Sequence, residues 1–114
     1  MTAHAHVNHV RFFKSDTANM SSGTVLYTPP TGKVLDVKHI IVSFTGDANA
    51  TCDIYNDTAG TDDQVMALVY DYDAASGTDG IIHLKDLSGF TFSKAFRVVA
   101  TSSKVNIAVS GILI

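Results

Sequence analysis

Three histidines close to the start of the chain, His4, His6 and His9, are its one local group of metal-capable residues. Side chains alternate along an extended strand, so His4 and His6 project from one face and His9 from the other. Two imidazoles fall short of the four ligands of a closed zinc site. Three copies of the His4-x-His6 pair around a threefold axis would bring six together, an octahedral set. The plainer reading is a terminal segment or partly exposed strand, and no cofactor is expected.

The other chemistry-bearing residues are similarly sparse. Asp71 and Asp73 begin as a calcium loop begins, but Ala75 replaces the third oxygen ligand and Ile82 stands where the bidentate Glu belongs, so the EF-hand pattern fails. Asp57, Asp62 and Asp63 leave a looser calcium site open, although loop carboxylates are usually just solvated. The single cysteine, Cys52, alternates with Ile54 and reads as a small buried hydrophobe. There is no G-x-S-x-G elbow, no H-E-x-x-H pair and no phosphate-cradling glycine loop, and His39 and His83 are lone histidines in apolar strands. The expectation is a protein that is not an enzyme. Tyr55, Tyr70 and Tyr72 end strands beside Asp-rich loops, a combination able to stack on sugar rings; core packing and cross-strand pairing account for them equally well.

Composition narrows the partners. A chain of 114 residues is the size of one domain, and 46% hydrophobic against 17% charged residues is enough to build a core. Eight Lys and Arg against eleven Asp and Glu give a net charge of −3 with no basic run, which argues against nucleic acid. Residues 2–9 lack the basic start and apolar core of a secretory signal, and no apolar run approaches the ~20 residues of a membrane-spanning helix. The chain is therefore expected to be made in the cytoplasm, without a signal peptide or a membrane partner, and its three N-x-S/T matches, at Asn19, Asn49 and Asn56, read as chance.

These residues must be held by strands. Short β-rich runs bounded by Gly, Asp, Asn, Ser or Pro recur along the chain, predicting a single all-β, antiparallel sandwich of about eight strands with no significant helix. The runs are 5–13, 24–28, 34–44, 51–56, 65–72, 81–84 with a short one near 90–92, 96–101 and 104–113. Residues 14–23 read as an exposed loop, and 45–50 as a hairpin loop joining 34–44 to 51–56 in an antiparallel pair. The last run alternates cleanly, with Val105, Ile107 and Val109 on one face. Residues 34–44 do not: Leu35, Val37 and Ile41 share one face, and Ile40, Val42 and Phe44 the other. Residues 65–70 are also apolar on both sides. Either a β-bulge changes the phase or a partner covers the surplus.

The segment Tyr27-Thr28-Pro29-Pro30-Thr31-Gly32-Lys33, the pair Ile54-Tyr55, the strand Arg97-Val98-Val99-Ala100 and the ending Val105-Asn106-Ile107-Ala108-Val109-Ser110-Gly111-Ile112 resemble small virion proteins of tailed bacteriophages and related particles. The likeness covers roughly residues 24–114, with the middle loops diverging. It implies a jelly-roll-like sandwich serving as a capsid decoration or cement protein, or alternatively as a trimeric head, neck or tail-fibre subunit with a receptor- or glycan-binding role. The implied partners are viral capsid or tail proteins and copies of the chain itself, a trimer above all, and the implied location is the virion. The family offers no catalytic residues to carry over. Residues 3–13 have no counterpart there, and residues 1–13 suggest an arm or strand that pairs with a neighbouring subunit by strand addition. The interface is expected on Ile40, Val42 and Phe44, or on Val65, Ala67 and Val69, with that arm as a further candidate.

Overall fold

Lys33 donates its backbone N–H to the Pro30 carbonyl at 2.9 Å, closing a turn whose third residue, Gly32, holds φ at +82°. Glycine adopts that conformation without steric cost, and the turn launches the long strand that follows. The computed structural model describes residues 8–15, 20–44, 49–60, 63–71, 80–100 and 105–114. Its strands are β1 (Asn8–Ser15), β2 (Thr24–Tyr27), β3 (Leu35–Phe44), β4 (Ala50–Asn56), β5 (Gln64–Tyr70), β6 (Gly80–Leu84), β7 (Thr91–Phe92), β8 (Phe96–Ala100) and β9 (Val105–Leu113).

The pairing is nested: β1 with β9, β2 with β8, β3 with β6 and β7, and β4 with β5, all antiparallel. A long hairpin paired in this way and rolled up, so that β9 also meets β3 and β8 also meets β4, is the jelly-roll connectivity. The sheets run β1-β9-β3-β6, with β7 beside β3, and β2-β8-β4-β5. They are called here the first and second sheets. The expected antiparallel sandwich of jelly-roll type is therefore the fold of the chain.

Three expectations are corrected. Strands β3 and β4 are not a hairpin pair, because the chain crosses between sheets after Phe44. Within residues 14–23, Lys14 and Ser15 extend β1, and a 3-10 turn at Met20–Ser22 buries Met20 in the core. Of the expected arm, residues 1–7 lie outside the described residues, and residues 8–13 pair within the chain: every residue of Asn8–Ser15 is registered against the chain's own β9, from Asn8 opposite Leu113 to Ser15 opposite Asn106.

The core lies between the sheets. Leu35, Val37, Ile40, Val42 and Phe44 from β3 and Val105, Ile107 and Val109 from β9 face Cys52, Ile54, Phe96, Val98 and Leu68 across it. Burying side chains of this size contributes about 1.5–3 kcal/mol each. Aromatic rings close one part of it: Phe12 stacks on Tyr27 at 5.5 Å and meets Phe96 edge-on at 5.1 Å, and Phe96 touches Phe92 at 4.7 Å. Elsewhere Tyr70 stacks on Phe44 at 5.4 Å.

Candidate interaction surfaces

The surfaces follow from the phase of β3. Its register against β9 passes from Val37 opposite Gly111 to His39 opposite Ser110, leaving Lys38 as the extra residue of a β-bulge. Lys38 instead gives its carbonyl to the Leu87 N–H at 3.1 Å. The bulge resets the alternation, so Leu35 and Val37 before it and Ile40, Val42 and Phe44 after it all point inward. The last three are at most 1% exposed. They are core residues, and the expectation that they form an interface is corrected: beyond the bulge the residues turned outward are His39, Ile41 and Ser43.

On the outer face of the first sheet, β-pairing lines up Phe13, Ala108, Ile41 and His83 across four strands, and Arg11, Ser110 and His39 across three. The central strand β9 contributes only the small side chains Ala108 and Ser110. Larger ones stand on both sides, Arg11 and Phe13 from β1 and His39 and Ile41 from β3. The result is an open groove of about 360 Å³ running along β9 with a low floor. Phe13 is 67% exposed and Ile81, on the neighbouring β6, 70% exposed, with Ile41 between them at 39%. Aliphatic and aromatic side chains this exposed across adjacent strands of one face form a surface suited to covering by protein. Sequence reasoning missed Ile41 and Ile81, and reached Phe13 only as the end of the expected arm. The signal for Ile41 lay in the broken alternation of 34–44, which only the position of the bulge resolves.

The second expected patch lies on β5 of the other sheet. Met66 and Leu68 turn toward the core, while Val65, Ala67 and Val69 are exposed on the outer side of β5.

The residues singled out for chemistry are dispersed. His4, His6, Asp62 and Tyr72 lie outside the described residues. His9 and His83 are exposed on the outer face of the first sheet, and His39 is half-buried there rather than enclosed in apolar surroundings. Asp63 pairs with Lys94 at 2.6 Å, and Asp57 caps its own loop by accepting the Thr58 N–H at 2.7 Å. Tyr55 is buried beneath Arg97, whose guanidinium lies 5.4 Å from the ring centre, and Tyr70 is committed to Phe44. Both therefore serve packing. Burial, with the neighbouring Asp53 carboxylate adding to it, pushes the Cys52 thiol up to about 12, which suits an inert core residue. Among the described residues no three His, Cys, Asp or Glu side chains come together as a metal site, and no helix is long and apolar enough to cross a membrane.

No known family, characterised protein or solved structure matches the chain. What the arrangement offers is two apolar outer surfaces, the grooved face of the first sheet and the β5 side of the second.

Proposed function

We propose that the chain is a structural protein of a virion, a capsid decoration or cement subunit that works through protein–protein contacts and not through catalysis. The observation that carries this reading is the outer face of the first sheet, where Phe13 and Ile41 stand exposed beside the groove over Ala108 and Ser110 and Ile81 extends the apolar face onto β6. A surface of that kind gains stability when a capsid or tail protein covers it, and a subunit bridging its neighbours adds to the stability of the assembled shell by mass action. The resemblance of residues 24–114 to small phage virion proteins, and a jelly-roll architecture that capsid, lectin and cupin domains share, support the reading by analogy.

The test is direct. Mass spectrometry of particles purified from cells expressing this protein during infection is expected to find it as a stoichiometric component. Phe13→Asp combined with Ile41→Asp is expected to leave the chain folded and absent from those particles. Particles that lack the wild-type chain would overturn the reading. A stable trimer of the isolated protein would move it to a head, neck or tail-fibre subunit.

A further inference from the structure

The second sheet ends at β5, which pairs with β4 on one side and with no other strand among the described residues. An edge strand presents a row of main-chain donors and acceptors, and proteins normally blunt such a row with charge, proline, a short strand or a bulge. The edge strand β1 carries Arg11 and Lys14, and β2 is four residues long with a register shift. β5 reads Gln-Val-Met-Ala-Leu-Val-Tyr, seven residues with no charge and no proline. Its one irregularity is a bulge at Val65, which has no partner on β4 between Met66 opposite Ile54 and Gln64 opposite Tyr55, so the regular part of the edge is Met66 to Tyr70.

The order of residues along β5 is nearly symmetric about Ala67. In an antiparallel pair of two β5 strands centred there, Ala67 faces Ala67 of the second copy, Val65 faces Val69, Met66 faces Leu68 and Gln64 faces Tyr70. Faces are preserved by the same operation: the exposed Val65, Ala67 and Val69 stay together on the outer side, and Met66 and Leu68 stay together over the core. A two-fold axis through Ala67 thus makes the strand complementary to itself, as an isologous contact requires.

We infer that β5 is a homodimerisation edge, pairing antiparallel with β5 of a second copy about Ala67 and joining two four-stranded sheets into one of eight strands. This stands apart from the virion reading and from the grooved face, since it uses the opposite sheet and holds whether or not the chain is carried on a particle.

Residues directly opposite in an antiparallel pair have Cα atoms about 4.5–5.5 Å apart, within disulfide range. Ala67→Cys is therefore expected to give a covalent dimer on a non-reducing gel under mild oxidation, and Val65→Cys, which faces Val69 rather than itself, at least tenfold less. The native Cys52 is buried and stays out of the reaction. Charge provides the second arm by light scattering. The wild-type chain is expected at twice the monomer mass, Val65→Lys with Val69→Lys at the monomer mass, and Val65→Lys with Val69→Glu back at the dimer mass, because position 65 of one copy meets position 69 of the other. A wild-type monomer, equal cross-linking at 65 and 67, or a mass unmoved by the two-lysine variant would overturn the inference.

Discussion

Gly111 sits opposite Val37 at the point where β3 and β9 fall out of register. A Cβ on Gly111 would lie 2.5 Å from the Asp36 carbonyl oxygen and 3.1 Å from the Val37 Cα, both main-chain atoms that cannot swing aside. The bulge at Lys38 draws the two backbones together there, and only a residue without a side chain admits the approach. The Ser110-Gly111 step is thus tied to the feature that decides which side chains of β3 face the core.

Gly111→Ala is accordingly expected to destabilise the fold by about 1–3 kcal/mol, the usual cost of overpacking a tight site. Urea unfolding checks it through the midpoint at constant slope. An unchanged midpoint would mean that the two strands separate at the bulge at no cost.

The bulge also decides which of two neighbours faces the core. Ile40 is fully buried and Ile41 is 39% exposed, although they are the same residue type one position apart. Ile40→Ala is expected to cost about 2–5 kcal/mol, as aliphatic truncations in cores do. Ile41→Ala should cost the isolated chain under about 1 kcal/mol, its loss being confined to surface packing. Equal costs would place the phase change elsewhere on β3.

How much of this was legible depends on the strand. β9 could be read outright, since the sequence alternates Val105, Ile107 and Val109 with Asn106, Ala108 and Ser110, and burial follows the same alternation. β5 was legible as apolar on both sides, and both sides are as read. In β3 the pattern showed that something shifts phase but not where: Lys38 is an ordinary residue, and what places the bulge there is the pairing of its neighbour Val37 with Gly111 seventy-odd positions later, a contact that no local window contains. The crossing of the chain from β3 to β4 was hidden for a similar reason. A polar loop of that length suits a hairpin and a sheet-to-sheet connection alike, and the choice is made by β9 and β8 occupying the inner places in their sheets. Met20 was lost in a run of small polar residues because burial of one side chain leaves no periodic trace.

Cys52 yields a prediction about pH. Its thiol titrates near 12 in the folded chain against an ordinary value of 9.0, so unfolding releases the proton more readily than the native state does. The sign follows: this group costs no stability below pH 9, and stability falls as pH rises from 9 toward 12, by at most about 1.4 kcal/mol per unit for one proton. Cys52→Ala should remove that slope relative to wild type while lowering stability at pH 7 through the smaller side chain. In native buffer the thiol should react with a disulfide reagent only at the rate of unfolding. Rapid stoichiometric labelling would show that the site is open.

Arg97 ties the outer side of the second sheet together. It stands opposite Val25 on β2 and Tyr55 on β4, lies over the Tyr55 ring, donates from Nη1 to the Gly60 carbonyl at 2.8 Å, and occupies the space a side chain at Gly23 would need. A lysine keeps the charge but loses the planar fork that stacks and donates at once. Arg97→Lys is therefore expected to cost about 1 kcal/mol, the scale of a partly exposed charged hydrogen bond with a cation–π contact. It should also speed proteolytic cleavage near Gly60. The Lys94 to Asp63 pair makes the contrast, because both side chains are largely exposed. Lys94→Ala should cost less than about 1 kcal/mol through that pair, and the coupling should fade in high salt. If Arg97→Lys leaves both stability and cleavage unchanged, the loop is held instead by its main-chain bond from the Asn56 N–H to the Asp63 carbonyl, and Arg97 serves only to cover Tyr55.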